Sequence, residues 1–244
     1  MIVTSKIIMS GTVLITGCSR GIGFGLVKEY VKRDWKVIAT CRNPQGASDL
    51  TEFLAENGQT PPIPLDVSSE SSIKDCKEAV TKLTNKLNVL INNAGISNKN
   101  HPDDWATQTD VKEFDHILQT NVTSVLTMTQ TFLPLLKETE VGRVINISSG
   151  LGSMGASPRY STTSYQCSKA ALNMLTKCFA DEVKNVVFVA MHPGWVQTDM
   201  GSSKNRKAPV TVADSAKGIF EVAHSVGKDK SGIFIGFDGK EIPF

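Results

Sequence analysis

The sequence predicts an α/β protein: a doubly wound parallel sheet of about seven strands with helices on both faces. Two observations predict it. Short β-branched runs recur along the chain, each nearly continuous in apolar residues, as strands buried on both faces must be. Longer stretches of helical period separate them, giving the alternation that a helix-covered parallel sheet requires. A chain of 244 residues, 40% hydrophobic and 20% charged, is long enough to bury one such core. No linker or internal repeat divides it, so residues 11–244 read as a single domain behind an extension of residues 1–10.

The strand candidates are TVLIT (12–16), WKVIAT (35–40), PPIPL (61–65), NVLIN (88–92), GRVINIS (142–148), NVVFVAMH (185–192) and GIFIG (232–236). The first opens into TGCSRGIG (16–23), which runs into the helical pattern FGLVKEYVKR. Glycines at 17, 21 and 23 between a strand and a helix let the backbone turn tightly and approach a pyrophosphate, whose charge the helix amino end holds. That context makes the sheet Rossmann-like and the turn a dinucleotide site. The second strand ends in ATCRN, with no acid to hold a ribose 2′-hydroxyl, the feature that NAD sites carry there. Arg42, with Arg20 from the glycine turn, offers two guanidiniums for a 2′-phosphate instead, so NADP(H) is the expected cofactor. The alternative is that both arginines are ordinary solvated surface residues.

The least regular stretches, 97–110 and 198–209, both follow strands and are expected over the carboxyl edge of the sheet, where open α/β sheets bind ligands. Trp105, Met154, Trp195 and Met200 come from irregular segments, and apolar, polarizable side chains there suit a pocket for a hydrophobic carbonyl compound. Lys204, Arg206 and Lys207 read as a solvated loop, with recruitment of an acidic substrate as the alternative. Between the loops, Val111, Phe114, Leu118, Val122, Val125, Thr129 and Phe132 form a stripe of nearly helical period, with Asn121 beside it. A buried amide must be hydrogen-bonded, so Asn121 either ties down backbone or holds a water. This segment, 110–137, and a second amphipathic one, 164–183, are candidates for pairing in a homodimer or homotetramer; burial of the same faces within one chain gives the same pattern.

In STTSYQCSKAALNM (161–174), one of three tyrosines, Tyr165, precedes Lys169 by one helical turn. Such pairs are common on helix surfaces. The chemical alternative is an ammonium that draws a phenol down from about 10 toward neutrality and so equips it for proton transfer. The rest of the composition excludes other classes. A net charge of +2 with scattered basic residues gives no nucleic-acid footprint. Five cysteines without CxxC spacing and four histidines without an HxxxH or HExxH pattern leave no disulfide framework and no metal site to expect. Cys18 and Cys167 read as small packing residues, with block of the cofactor site by thiol reagents at Cys18 left open. No apolar run reaches membrane-spanning length and no signal-peptide core leads the chain, so no membrane partner is expected and a cytoplasmic protein is.

Taken together, TGCSRGIG, LDV (65–67), NNAG (92–95), Asn121 in TNVTSVL, ISSGLG (147–152), Tyr165 with Lys169, and HPGWVQTDM (192–200) occur in the order of the short-chain dehydrogenase/reductase family, which the chain resembles from about residue 11 to its end. Within the family it is most similar to cytosolic carbonyl reductases of the Sniffer-type branch. The resemblance implies NADPH-dependent reduction of a ketone or aldehyde carbonyl on a small hydrophobic substrate. It implies that Tyr165 gives the proton, that Lys169 supplies positive charge and binds the nicotinamide ribose, and that Asn121 anchors a water linking Lys169 to solvent. Ser149 would donate to the developing oxyanion, with Ser148 and Ser153 as alternatives, because the gap from Ser149 to Tyr165 is longer than the family's usual one. For the cofactor, the resemblance places Gly17, Ser19, Arg20, Gly21, Ile22 and Gly23 at the phosphates and Arg42 at the 2′-phosphate. Asp66 and Val67 would lie at the adenine, Asn92 to Gly95 (including Asn93 and Ala94) beneath the ribose, and Pro193, Gly194, Val196 and Thr198 at the nicotinamide. The competing readings are an NAD(P)-linked alcohol or steroid dehydrogenase and a non-catalytic NADP(H)-binding sensor.

Overall fold

In the computed structural model, which describes residues 10–98, 104–156, 162–201 and 207–244, all seven apolar runs are strands. They are β1 (Thr12–Ile15), β2 (Lys36–Cys41), β3 (Ile63–Pro64), β4 (Val89–Asn92), β5 (Gly142–Ile147), β6 (Val186–His192) and β7 (Ile233–Gly236). They form one sheet in the order β3-β2-β1-β4-β5-β6-β7, and every pairing is parallel. The chain winds outward from β1 to β3, then returns to β4 on the other side of β1. The crevice above the β1 and β4 carboxyl ends, where the winding reverses, is where such sheets take ligands.

Among the described residues seven α-helices cover the sheet: α1 (Gly21–Val31), α2 (Ser48–Glu56), α3 (Glu70–Leu83), α4 (Val111–Leu118), α5 (Ser124–Lys137), α6 (Thr163–Glu182) and α7 (Val212–Ser225). Side chains alternate across each strand, so the continuous apolar runs feed two cores. One face packs Val13, Val37 and Val189 against Leu26, Tyr30, Leu54, Ile219 and Phe220 of α1, α2 and α7. The other packs Leu14, Leu90 and Phe188 against Ile73, Val80, Phe132, Leu136 and Phe179 of α3, α5 and α6. At the amino edge, Tyr30, Trp35, Phe220 and His224 meet ring to ring. Burial, helped by the Arg143 and Arg33 guanidiniums, holds His224 down to about 3, so it is a neutral partner for the Tyr30 hydroxyl. Among the described residues no helix is long and apolar enough to cross a membrane.

One expectation fails here. The stripe through 110–137 reads as a single helix, but α4 and α5 are joined by a π-helical turn at Gln119–Thr123. In that turn the Ser124 N–H reaches back five residues to Gln119 O, and the Ser124 hydroxyl takes over the Thr120 carbonyl at 2.6 Å. The wider turn shifts the buried face. Val111 is 71% exposed, while Ile117, Thr120 and Asn121 turn inward ahead of Val125, Thr129 and Phe132. Wide turns of this kind occur often at functional sites.

Candidate active site

The site is assembled at the carboxyl edge from four connections. The first is the β1–α1 turn. Gly17 and Gly21 hold φ of +71° and +57°, in the left-handed region that favours glycine. A Cβ on Gly23 would stand 2.2 Å from Gly17 O, so the helix can begin this close to the strand only without a side chain there. No side chain caps the amino end of α1 and no acid lies in its first turn. Ser19 and Arg20 are exposed beside it, with Ile22 half-buried. This bare, positively polarised helix end, on a turn that lets backbone come close, fits a pyrophosphate.

Asn93 explains how the turn keeps its shape. Its side-chain amide donates to Thr16 O at 2.8 Å and Gly17 O at 3.1 Å, while the Asn93 and Ala94 N–H groups both donate to the Thr16 hydroxyl at 3.0 Å. The amide expected beneath a ribose is therefore spent on the glycine turn. Asn92 is turned into the sheet, donating to Asn146 Oδ1 at 2.8 Å, and its own Oδ1 is buried without a partner. Both amide nitrogens are thus engaged within the protein, while Ala94 and Gly95 beside them are half-buried.

Where the adenine is expected, Asp66 accepts from the Ser68 hydroxyl and N–H, which with desolvation working against them hold its carboxyl below the usual range; the Arg42 charge adds to the lowering. Val67 is buried beside it, and Arg42 stands exposed at the end of β2. Arg20 departs from expectation. Its Nε lies 3.2 Å from Asp199 Oδ2, both side chains 69% exposed, so it ties the glycine turn to the segment after β6 instead of standing free. An ion pair this exposed is worth only about 0–1 kcal/mol, so an incoming phosphate can replace it. The Thr198 methyl stands 3.3 Å from where a Gly21 side chain would begin.

The segment after β6 is fixed locally. The buried Pro193 gives its carbonyl to Ser215 at 2.7 Å, Gly194 turns with φ +84°, and buried Val196 pairs with Val210. Trp195 is 45% exposed with its indole N–H on Gly201 O. Met200 and Trp105 are also partly exposed, at 41% and 48%. Lys204 and Arg206 lie outside the described residues, and Lys207 is exposed.

The groups expected to react come from the end of β5 and from α6. Ser149 follows β5, and its side chain hydrogen-bonds Tyr165; its Oγ also accepts the Leu151 N–H. The alternatives are engaged elsewhere: Ser148 donates to Asn173 Oδ1 at 2.6 Å and Ser153 to Pro243 O at 2.6 Å. Lys169 is 5% exposed, donates to Ile147 O at 2.8 Å, and places Nζ 5.5 Å from the Tyr165 ring centre.

The Tyr165 pKa is shifted in the direction opposite to the expected lowering. Burial raises it to about 12, with the Ser149 hydrogen bond pulling the other way. The same burial brings Lys169 down to about 8. In a low-dielectric cleft both charged forms are penalised, and the ammonium points at a carbonyl, so desolvation wins over the pair's attraction. Tyr165 is thus firmly protonated at neutral pH.

Asn121 uses its whole side chain. Oδ1 accepts the Ile96 N–H, and Nδ2 donates to Ile96 O and the Ser168 hydroxyl, all at 2.9–3.0 Å. Tying down backbone is what the side chain does. A hypothetical Gly95 Cβ would lie 3.2 Å from its Oδ1 and 3.7 Å from Lys169 Nζ, so a side chain at 95 would press on the Asn121 amide. Cys18 is fully buried, donates to Ile15 O, and is pushed far above the usual thiol range by burial; it is no target for reagents in the folded protein.

Two positioning residues escape a reading of the sequence. Asp104, 2% exposed, accepts the Ser164 N–H at 2.7 Å and the Thr109 hydroxyl at 2.7 Å, capping α6 one residue before Tyr165. The signal was an acid in the irregular stretch before a helix, but its helix begins some 60 residues later. His192 accepts the Gly150 N–H on Nδ1 at 3.0 Å, fixing the turn after Ser149. Among the described residues no group of acids, histidines or cysteines is arranged to hold a metal ion.

Known proteins share this fold. The family model for short chain dehydrogenase matches residues 11–209. A carbonyl reductase from chicken fatty liver with NADPH bound has the same fold at a TM-score of 0.89, with 35% identity over 96% of this chain and 98% of its own. The carbonyl reductase Sniffer of D. melanogaster aligns at 0.88, with 30% identity over 97% and 100% of the two chains. An NADPH-dependent pterin aldehyde reductase of Arabidopsis thaliana is 32% identical over 82% of this chain and 80% of its own. With its glycine turn, its Ser149–Tyr165 contact and its buried lysine in one crevice, the chain belongs to the short chain dehydrogenase family of oxidoreductases.

Proposed function

We propose that the protein is an NADP(H)-dependent reductase of ketone or aldehyde carbonyls on small apolar substrates. The observation that carries this is a half-buried phenol whose hydroxyl is hydrogen-bonded to Ser149 and whose ring lies beside the Lys169 ammonium. Reduction needs a proton donor at the carbonyl oxygen, and Tyr165 is charged with its proton throughout the neutral range. When bound, NADPH supplies the hydride. The chain's residues do the rest: the bare α1 end and the glycine turn hold the pyrophosphate, Arg42 faces the 2′-phosphate, and Ser149 donates to the carbonyl oxygen as negative charge grows there. Lys169 stabilises that charge and supports the proton's replacement at Tyr165. The exposed Trp105, Met154, Trp195 and Met200 favour an apolar carbonyl compound. The carbonyl reductases and the pterin aldehyde reductase among its relatives support the same reading.

The test is NADPH oxidation at 340 nm with dicarbonyls, quinones and aldehydes, alongside NADH and Tyr165→Phe. Turnover with NADPH that falls about 100-fold or more in the variant, with NADPH binding intact, is expected. Tight NADPH binding without turnover across the panel would instead favour the sensor reading, and a preference for NADH would remove the role of Arg42.

A further inference from the structure

The last residues of the chain lie against the segment that follows the catalytic serine. The Ile242 N–H donates to Phe234 O at 2.9 Å, laying residues 242–244 along the outer edge of β7. There the Phe244 ring sits 5.9 Å from that of buried Phe234. Pro243 O then accepts the Ser153 hydroxyl at 2.6 Å, and Phe244 O accepts the Gly155 N–H at 3.3 Å. Ser153 closes the arrangement by accepting the Ala156 N–H at 2.9 Å. The other end of this segment is anchored in the site itself, with Gly150 N–H on His192 and Gly152 O on the Asn173 amide at 3.3 Å.

Between two clamped backbone stretches stands Met154. Ser153 is 1% exposed and Met154 84%, so the clamp buries one neighbour and displays the other. A long apolar side chain held out into solvent, five residues after Ser149, contributes nothing to the core. It offers a soft, adaptable wall for an apolar ligand, and a wall selects only if its base is fixed.

We propose that Pro243 and Phe244, acting through Ser153, are positioning residues that set the place of the Met154 wall and thereby select substrates by size. This rests on the reductase reading above. The clamp touches neither Tyr165 nor Ser149, so it affects which carbonyl compounds are held and leaves the chemical step alone.

The experiment uses full-length Ser153→Ala, Phe244→Ala and Ser153→Thr, the last keeping a hydroxyl. kcat and KM are measured with methylglyoxal, a small probe, and 9,10-phenanthrenequinone, a large apolar one, together with amide exchange over residues 150–156 and NADPH binding by fluorescence. Loss of the Ser153 hydrogen bond in the first variant, and of the Phe244 ring that seats the tail on Phe234 in the second, is expected to raise KM for the quinone about five-fold. Exchange at Gly155 and Ala156 should quicken about ten-fold, while kcat for both probes and NADPH affinity stay within about two-fold of wild type. Ser153→Thr should restore most of the quinone KM. An equal fall in kcat on both probes, or unchanged exchange, overturns the proposal. Absence of turnover in the wild-type protein overturns the reductase reading instead, and the exchange rates alone then decide the clamp.

Discussion

Replacing Lys169 with methionine separates what the lysine costs the fold from what it gives the site. The side chain is buried, and its ammonium falls from an ordinary 10.5 to about 8. At about 1.4 kcal/mol per factor of ten, keeping the charge at pH 7 costs the folded state on the order of 3 kcal/mol. The sign is fixed by proton counts. Between pH 8 and 10.5 the unfolded chain binds the proton more firmly than the folded one, so stability rises through that window, and the penalty is fully present below it. Methionine fills the same space without charge but leaves Ile147 O without its 2.8 Å donor, a loss of about 1–2 kcal/mol. The variant should therefore be more stable at pH 7 by about 1–2 kcal/mol, with a melting midpoint on the order of 4 °C higher. Urea unfolding followed by circular dichroism at pH 7 and pH 9.5 tests this. By pH 9.5 the wild type recovers roughly 2 kcal/mol of the penalty and the advantage disappears. Turnover should fall about 100-fold or more in the same protein. A variant that is less stable at pH 7, or whose advantage is the same at both pH values, would refute the argument that burial of this charge opposes folding.

Arg42→Ala should raise the KM for NADPH about 10- to 100-fold, the worth of charge-assisted hydrogen bonds, while NADH kinetics barely change. N-ethylmaleimide should label the exposed Cys167 and Cys178 in the native protein and leave the buried Cys18, Cys41 and Cys76 unmodified, as peptide mass mapping would read; adducts on Cys18 before unfolding would contradict its burial. Asp104→Ala removes the carboxylate that caps α6 and should lower stability to urea by about 1–2 kcal/mol, with Asp104→Asn recovering part of it.

The strands were legible because burial on both faces leaves an unbroken apolar run, and the glycine turn because its φ values and close contacts exclude side chains. Tyr165 and Lys169 were legible as a pair, yet their ionisation was not: sequence displays the opposite charge one turn away and hides the low-dielectric cleft that outweighs it. Ser149 could be told from Ser148 and Ser153 only by partners that are distant in sequence, Asn173 and Pro243. Asp104 was hidden for the same reason, since a cap is recognised by adjacency and this one acts across a chain crossing. Arg20 looked like a free phosphate ligand because its ion partner, Asp199, comes from the far side of the crevice.

The π turn that carries Asn121 sets the helix out of phase with itself. An α-helix advances about 100° per residue, so one extra residue in a turn rotates the rows of side chains before it against those after it by roughly that angle. Removing a single residue between 119 and 123 would bring the two pieces back into step, close a regular ladder of hydrogen bonds, and swing the asparagine off the face that meets Ile96 and Ser168. The form of this helix that ties Asn121 to Ile96 and Ser168 is thus one deletion away from a more regular one. Its Ser124 hydroxyl, occupying the carbonyl that the wider turn leaves behind, is the small local compensation that lets the irregular form persist.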